Sequence, residues 1–524
     1  MLTLLLVFYF WAGGVSGLDR FPKIHEDESW QSAPGYTFWA EGRFGSDLFA
    51  GFFGMERHYY GFMPLFPILV GGGLHLFGLG LFQARLAPLA LITLAVAVTH
   101  RLGWKLFSPW HGTLAVAVLV GWRIAGPFAH LRSGLPLADV ARIVRYDSAV
   151  PVFGLTALLA LVGTLKTQNS KLKIQNFFGI GLLAGLATLS HLYGGFWLPA
   201  LALSLVWVLG RRAIGPVLAM GLGFGLVLTP YVWYVASGWG DFLLQNRNYA
   251  DRFGLLDPRF YLINLLGEVE RYDPLLNGAK GSLGAWLWLI ACSLSLLWLA
   301  RRAWADRAWQ ARVLIAALAT LGFLFAVLLR FKTFSYLAML WPLFALAIAS
   351  GFIYVWQANV SQRWWRPVLA LCFVLALAEG GLANWRFHLQ ARQATPYQTY
   401  TRAIAARLPP GSRVMGMHHY WLGLFPASRD YRSIAVPVIW TSPQYVAEPV
   451  SFGQAAQAIP PDVILLDQIM LDFLDEIAEP DHPLHSLGLE IDDYLARRQA
   501  TLITEIDDPT YGRIQIYQLD PAAP

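Results

Sequence analysis

Charged residues are scarce in this sequence. Only 14% of its 524 residues are charged, whereas 56% are hydrophobic and 15% are aromatic. A soluble domain carries about a quarter charged residues, so this composition excludes a large soluble enzyme and a disordered chain. The net charge of +6 does not indicate a nucleic-acid binder, because excess Lys and Arg in a membrane protein reports the orientation of its loops.

Cysteine is nearly absent as well. Cys292 and Cys372 are the two cysteines of the chain, and both lie in apolar runs. The sequence therefore excludes a disulfide framework and a CxxC metal site. It also contains no evident internal repeat, which argues against transporter folds that are built from duplicated halves.

Long apolar runs are the main feature of the first 385 residues. A membrane-spanning helix needs about 20 mostly apolar residues. Twelve candidate runs occur at 2–18, 61–80, 84–103, 112–130, 148–165, 177–190, 192–210, 213–236, 283–300, 313–329, 335–356 and 367–384. We expect the first of them to be a retained helix and not a signal peptide, because no basic segment precedes it.

Basic loops predict the orientation of these runs. They are Arg101/Lys105, Lys166/Lys171/Lys173, Arg211/Arg212, Arg301/Arg302/Arg307/Arg312 and Arg363/Arg366. All five lie on the cytoplasmic side if eleven runs cross and run 61–80 does not. That run contains Pro64, Pro67 and three consecutive glycines, which interrupt helices, so we expect a re-entrant or surface element at the outer face.

The sequence thus predicts a polytopic α-helical membrane protein with about eleven transmembrane helices and a small extracytoplasmic α/β domain. The transmembrane domain would cover 1–384, with a first outer loop at 19–83, and the α/β domain 385–524. Strands are predicted at 413–417, 463–466, 502–506 and 513–519, and helices at 397–408 and 487–499.

The first outer loop begins with four titratable residues in a row, His25 to Glu28. Carboxylates at a membrane surface can act as a general base on an acceptor hydroxyl or can bind a divalent ion. The alternative is a solvated acidic turn that caps the following helix, with Asp27 or Ser29 as the capping residue.

Two further outer segments carry cations. Arg142 and Arg145 precede Asp147 just before a span, and they indicate either an anionic partner, such as a lipid phosphate, or side chains that reach toward the headgroups. Arg330 and Lys332 lie between two spans with aromatic neighbours. They could hold a phosphate or pyrophosphate, or they could anchor the chain at the interface.

Other candidates are weaker. Arg123 and Glu379 lie inside apolar runs, where charge is costly and often functional. Arg123 could pair with Glu379 or with the acids of the first outer loop. His191 lies beside Tyr193 at a sharp outer turn and is, by residue type, more often packed than catalytic. His418-His419 could suggest a metal site, but no further ligands occur at a matching spacing.

Acids and bases from distant loops would therefore converge on one outer face of the membrane. This arrangement suits a reaction between a lipid-phosphate donor held by cations and an acceptor activated by a carboxylate. A sugar donor would have to be lipid-linked, because nucleotide sugars are absent outside the cytoplasm.

The order of several short motifs resembles a known family. The motifs are Asp27-Glu28, Met63-Pro64-Leu65-Phe66-Pro67, Leu76-Phe77-Gly78, Ala84-Arg85-Leu86, Arg145-Tyr146-Asp147, Thr229-Pro230-Tyr231-Val232-Trp233-Tyr234, Lys332 with Tyr336, and Trp341-Pro342. Over roughly 1–385 the chain resembles the dolichyl-phosphate-mannose–protein mannosyltransferase family of the GT-C superfamily, in the bacterial branch with aminoarabinose transferases and Rgt-type transferases. The C-terminal region resembles the small extracytoplasmic domain of such proteins.

The resemblance implies roles for individual residues. Asp27 matches the usual candidate for the catalytic base, Glu28 its acidic neighbour, and Asp147 a second acidic position that orients the acceptor or the sugar. The residues implied in binding the substrate and the lipid phosphate are Arg145, Arg330, Lys332, Tyr336 and His191. His191 departs from the family pattern, since many relatives carry a Lys there.

The sequence therefore favours an inverting hexosyl- or pentosyltransferase that moves a sugar from a polyprenyl-phosphate donor to a lipid, glycan or protein acceptor. We expect it at the outer face of a bacterial cytoplasmic membrane, with membrane lipids and no nucleic acid as partners. A flippase or transporter of a lipid-linked saccharide is the alternative, and an assembly protein with a partner-binding outer domain is a third reading. Metal dependence is open: the acidic loop could bind a divalent ion, whereas the resemblance implies a metal-free reaction.

Overall fold

The computed structural model of the protein describes residues 1–125, 133–167, 174–247, 254–357, 365–428, 430–479, 481–482 and 484–521. The basic residues Lys171, Lys173 and Arg363 of the predicted cytoplasmic loops lie outside the described residues.

Each of the twelve predicted apolar runs contains a helix. The helices in chain order are α1 (Leu2–Val15), α2 (Glu26–Glu41), α3 (Leu65–Phe77), α4 (Leu81–Leu106), α5 (Pro109–Gly121), α6 (Pro136–Val140), α7 (Ala149–Lys166), α8 (Ile174–Ser190), α9 (Trp197–Leu209), α10 (Ile214–Ser237), α11 (Trp239–Gln245), α12 (Pro258–Leu266), α13 (Asp273–Ala279), α14 (Leu283–Trp304), α15 (Trp309–Leu328), α16 (Trp341–Gln357), α17 (Trp365–Gln393), α18 (Tyr397–Ala405), α19 (Trp421–Ser428), α20 (Ala435–Trp440), α21 (Phe452–Gln457), α22 (Gln468–Ile477) and α23 (His485–Arg497).

Within the described residues, six helical segments are long and apolar enough to cross a membrane. They are Leu81–Leu106, Tyr146–Lys166, Leu192–Ser237, Leu283–Trp304, Trp309–Leu328 and Trp365–Ala405. Shorter apolar helices are α1, α3, α5, α8 and α16. The chain is thus a polytopic α-helical membrane protein, as predicted, while the number of eleven crossings and their orientation stay predictions.

Exposed leucines mark a lipid-facing surface on α10. Leu218, Leu222 and Leu226 are 64%, 70% and 58% exposed. Their spacing of four residues places them on one face of the helix. A soluble protein rarely leaves such a stripe in water, whereas hydrocarbon tails solvate it without cost.

The chain divides into two compact units. The first comprises Met1–Ser16, Pro88–Tyr234 and Arg252–Gln390, and the second comprises Gly17–Ala87, Val235–Asp251 and Ala391–Pro524. The predicted boundary at 385 lies close to Ala391, where the second unit resumes. Most of the predicted first outer loop, however, groups with the C-terminal region, whereas the sequence suggested that it belongs with the transmembrane part.

Helices α2 and α3 of the second unit cross at two glycines. A Cβ atom on Gly35 would lie 1.7 Å from the carbonyl oxygen of Pro67, and one on Gly71 would lie 2.0 Å from the carbonyl carbon of Gly35. The expectation that proline and glycine interrupt run 61–80 is therefore wrong for residues 65–77. Pro67 lies in the first turn of α3, where proline is tolerated, and the glycines allow close packing.

The C-terminal region forms a mixed five-stranded sheet. Its strands are β1 (Val414–Gly416), β2 (Tyr431–Ser433), β3 (Val463–Asp467), β4 (Thr501–Asp508) and β5 (Gly512–Gln518). Their order is β2-β1-β3-β5-β4, with β1 parallel to β2 and β3, and β5 antiparallel to β3 and β4. The four predicted strands and the two predicted helices, now α18 and α23, are confirmed.

The sheet and its helices share one hydrophobic core. Ile464 and Leu466 of β3 pack with Met470 of α22 and Ile491 of α23, and all four are buried. Strand β2 was not predicted, because it has only three residues and two of them are polar. Its parallel pairing with β1 also leaves no local pattern in the sequence.

Candidate functional site

The predicted site residues divide between the two units. Asp27 and Glu28 lie in the second unit, and Arg145, Asp147, His191, Arg330, Lys332 and Tyr336 lie in the first.

The backbone holds Asp27 in the first turn of α2. His25 is the N-cap residue: its Nδ1 accepts the backbone N–H of Asp27 at 3.1 Å, and its own N–H donates to Glu28 Oε1 at 2.8 Å. This is a capping box, so the predicted cap, Asp27 or Ser29, is wrong. The Asp27 side chain is 30% exposed and its Oδ2 lies 3.6 Å from His25 Nδ1, which is too long for a hydrogen bond.

Glu28 is anchored in the protein interior. Its carboxylate accepts two hydrogen bonds from Arg85, at 2.8 Å from Nε and 2.6 Å from Nη2, and neither side chain is exposed. Arg85 also donates to the carbonyl oxygen of Leu18 at 2.9 Å. Such a bidentate pair fixes both partners, so Glu28 positions the first turn of α2 and leaves Asp27 as the accessible carboxylate of the predicted acidic pair.

The C-terminal region of the second unit packs on the same helix. The His418 ring lies 5.9 Å from that of Trp30, which follows two residues after Glu28, and 6.0 Å from that of Phe49. Burial lowers the pKa of His418 to about 3, with smaller contributions from His419 and His25. His418 is therefore neutral at physiological pH and acts as a packing residue.

Its neighbour His419 belongs to a buried polar cluster. His419 Nε2 lies 3.0 Å from Asp467 Oδ2, and Tyr420 donates to the same oxygen at 3.2 Å. Burial would raise the pKa of Asp467, but the hydrogen bond and charge of His419 outweigh this effect and hold it below its usual value. Among the described residues no group of three or more His, Cys, Asp or Glu side chains could hold a metal ion.

Asp147 of the first unit is fully buried between two donors. Arg145 Nε donates to Oδ2 at 2.8 Å, and the hydroxyl of Tyr193 donates to Oδ1. The Asp147 side chain has no exposed surface, and that of Arg145 is 8% exposed. Both carboxylate oxygens are therefore engaged, which suits a residue that positions Arg145 and Tyr193.

Aromatic rings surround this ion pair. His191 stacks on Tyr146 with ring centroids 3.9 Å apart, and it lies 4.1 Å from the ring of Tyr193. The hydroxyls of Tyr146 and Tyr336 are 3.3 Å apart. His191 Nδ1 accepts the backbone N–H of Tyr193 at 3.3 Å, so this histidine caps the 3₁₀ helix Leu192–Phe196. The structure thus brings the predicted residues Asp147, His191 and Tyr336 together.

Lys332 lies in a second charged cluster of the first unit. Its Nζ is 2.9 Å from Glu268 Oε2 and donates to the carbonyl oxygen of Ala326 at 2.9 Å. Arg271 binds the other carboxylate oxygen of Glu268 at 2.8 Å and is completely buried. Burial lowers the pKa of Lys332 below its usual value, although the hydrogen bond and charge of Glu268 oppose this shift. Glu270 also acts electrostatically on Lys332, and Arg330, two residues before Lys332, is exposed.

Three other predicted residues are structural. Of the two possible partners, Arg123 pairs with Glu379 at 3.3 Å, and Glu379 also accepts the backbone N–H of Gly284 at 2.6 Å. The buried Arg142 donates to the carbonyl oxygens of Gly13 at 2.9 Å and of Ser16, at the C-terminal end of α1. This contact satisfies carbonyls that the helix leaves without a partner.

Sequence reasoning missed several members of these clusters. Arg85 was noted as part of a motif without a role, and Tyr193 only as a neighbour of His191. Glu268 and Arg271 were not singled out, although three of the four residues in the run Glu268-Val269-Glu270-Arg271 are charged. Arg85 lies 57 residues from Glu28, Tyr193 lies 46 residues from Asp147, and Glu268 lies 64 residues from Lys332. Spacing along the chain therefore carries no signal of these contacts.

The fold is that of a class of membrane enzymes. No protein-family model and no curated protein matches the chain. Three solved structures illustrate the likeness. Oligosaccharyltransferase AglB from Archaeoglobus fulgidus, in complex with an inhibitory peptide and a dolichol-phosphate, has a TM-score of 0.57 at 10% identity, covering 98% of this chain and 74% of that one.

ArnT from Cupriavidus metallidurans is similar over its whole length. Its apo structure has a TM-score of 0.58 at 13% identity and covers 99% of this chain and 98% of that one. Its structure with undecaprenyl phosphate has a TM-score of 0.53 at 14% identity and covers 100% and 98%. The chain therefore has the GT-C fold, as the sequence resemblance predicted.

Proposed function

We propose that this protein is a membrane glycosyltransferase that moves a sugar from a polyprenyl-phosphate donor to an acceptor. The GT-C fold supports this class, because the similar AglB and ArnT structures contain dolichol-phosphate and undecaprenyl phosphate. The observation that carries the proposal for this chain is the pair Asp27 and Glu28. One carboxylate is partly exposed, while the other is locked to Arg85 and holds the turn in place.

Asp27 is proposed as the general base. Its carboxylate would take the proton of an acceptor hydroxyl while the acceptor oxygen attacks the anomeric carbon of the sugar. The bond between that carbon and the phosphate oxygen breaks in the same step, and polyprenyl phosphate leaves with the electron pair. Attack from the face opposite to the leaving group inverts the configuration at the anomeric carbon. A base fixed by its backbone and its neighbour is pre-organised for such a proton transfer.

The cations of the first unit are proposed to stabilise the leaving phosphate. Lys332 and Arg271 both pair with Glu268, and the exposed Arg330 carries a guanidinium that can bind two phosphate oxygens. Arg145 is already held by Asp147. We therefore assign the phosphate to Arg330 and Lys332, with Tyr336 as a neighbouring donor, and we assign Asp147 and His191 to the positioning of this site.

Several finer assignments belong to the same proposal. The transfer would take place at the outer face of a bacterial cytoplasmic membrane, with the α/β region outside, and the acceptor would be a lipid, a glycan or a protein. We expect the transferred sugar to be a hexose or a pentose. We propose a metal-free transfer, because cations of the chain can neutralise the phosphate, and transfer that persists in excess chelator would support this.

The test is sugar transfer in proteoliposomes from a panel of radiolabelled polyprenyl-phosphate sugars. Asp27→Asn should abolish transfer, because an amide cannot accept the proton. Glu26→Gln is the matched control, since Glu26 is an exposed acid in the same turn, and it should leave transfer unchanged. Equal transfer by wild type and Asp27→Asn would remove Asp27 from the chemistry. Movement of the intact donor across the bilayer without transfer would instead establish the flippase.

A further inference from the structure

Another group of charged side chains, apart from the Lys332 cluster, lies at the C-terminal ends of α4 and α7. Both of these helix ends belong to the first unit. A cavity of about 290 Å³ opens between these helix ends. Its lining residues are Arg101, Trp104, Lys105, Gly163, Lys166 and Thr167. The proposed transfer reaction uses none of them.

Three cations converge on this cavity. Lys166 Nζ lies 3.5 Å from the carbonyl oxygen of Lys105, so the two helix ends are close together. The Arg101 guanidinium lies 4.5 Å from the centre of the Trp104 ring. Across the part of the chain that the structure describes, no carboxylate lies within 4.0 Å of any of the three cations. Their mutual repulsion favours an anion in the space between them.

Gly163 gives the Lys105 side chain room at the edge of the cavity. A Cβ atom on Gly163 would lie 3.0 Å from the ammonium of Lys105, so this lysine extends over the glycine. Arg101 and Lys166 are exposed and Lys105 is half-buried, and all three line the same pocket between two helices.

We infer that this cavity binds the phosphate of an anionic phospholipid headgroup. Both helices are long enough to cross the membrane, so their ends lie at its boundary. Trp104 is 44% exposed there, as expected of an aromatic side chain at the lipid interface. Basic pockets between membrane helices on the cytoplasmic side are suited to anionic headgroups, and the basic loops predict that this end is cytoplasmic.

Binding of radiolabelled phosphatidylglycerol to the purified, delipidated full-length protein tests the inference, with phosphatidylcholine as the zwitterionic reference. Wild type should prefer phosphatidylglycerol. The triple variant R101Q/K105Q/K166Q should lose about fivefold in affinity for each cation removed. The matched control R211Q/R212Q/R301Q removes three exposed cations from the same predicted side, and it should bind as wild type does. Equal losses in both triple variants would overturn the inference.

Gly163→Leu tests the cavity without changing charge. Leucine is compatible with an apolar helix, and the flexible end of Lys105 can move away from it, so the variant should fold. It should bind phosphatidylglycerol several-fold more weakly than wild type, and unchanged affinity would contradict binding in the cavity. Competition by inorganic phosphate or glycerol 3-phosphate at the same concentration as the lipid would show a soluble ligand and overturn the assignment to a lipid.

Discussion

Arg85 and Glu28 form a bidentate ion pair with no exposed side-chain surface, and they lie 57 residues apart in the sequence. Arg85 lies near the N-terminal end of α4, and Glu28 lies in the first turn of α2. The pair therefore connects a long apolar helix to the turn that carries Asp27. Asp27 and Glu28 thus differ in their surroundings: the Asp27 carboxylate is partly exposed, whereas the Glu28 carboxylate is buried and structural.

Breaking this ion pair should destabilise the protein strongly. Glu28→Gln leaves the Arg85 guanidinium buried without its counter-charge, which costs about 3–5 kcal/mol when one partner of a buried pair is lost. We expect a lower melting temperature of the purified protein and a loss of transfer in proportion to the unfolded fraction. Replacing both residues, as Glu28→Gln with Arg85→Met, should be less destabilising than Glu28→Gln alone. Additive losses in the double variant would argue against a coupled pair.

Because α2 and α3 approach closely, we expect a glycine-to-alanine substitution at their crossing to lower the stability of the protein. Gly35→Ala would normally stabilise a helix by about 0.5–1 kcal/mol, but its Cβ would lie 1.7 Å from a backbone oxygen. We expect a net loss of about 1–3 kcal/mol, visible as a lower melting temperature. Gly73→Ala is the control, because the nearest atom to its Cβ is 3.9 Å away. Equal stability of the two variants would contradict this packing.

The sequence predicted the elements better than their contacts. Apolar runs of about 20 residues and alternating strands have local signals, so the twelve helices and β1, β3, β4 and β5 could be predicted. The continuous helix around Gly71 could not be predicted, because glycines weaken an isolated helix but permit the close crossing of two packed helices. Lys332 was predicted to bind the lipid phosphate, but its pairing with Glu268 could not be predicted, because the two residues lie 64 positions apart.

Tyr193 should support Asp147 through its hydroxyl. Tyr193→Phe removes a donor to a buried carboxylate and keeps the ring that contacts His191 and Tyr336. A lost hydrogen bond to a charged group costs roughly 1.5–3 kcal/mol, so we expect reduced stability and a several-fold lower kcat/KM.

The control for this prediction is Tyr261→Phe. The hydroxyl of Tyr261 donates to the carbonyl oxygen of Leu255 at an exposed position, so its loss should leave stability within experimental error. If Tyr193→Phe were as stable and active as the control, the Asp147 carboxylate would not depend on this donor.

The depressed pKa of Lys332 predicts how transfer depends on alkaline pH. Lys332 is charged below its pKa and neutral above it, and burial sets that pKa below the usual value for lysine. If the charge stabilises the leaving phosphate, kcat/KM should fall as pH rises through this lowered pKa. Lys332→Arg keeps its charge throughout this range, so its profile should stay flat where that of wild type falls. Lys332→Gln should be slow at every pH and lack this limb. An unchanged alkaline limb in Lys332→Arg would assign the titration to another group.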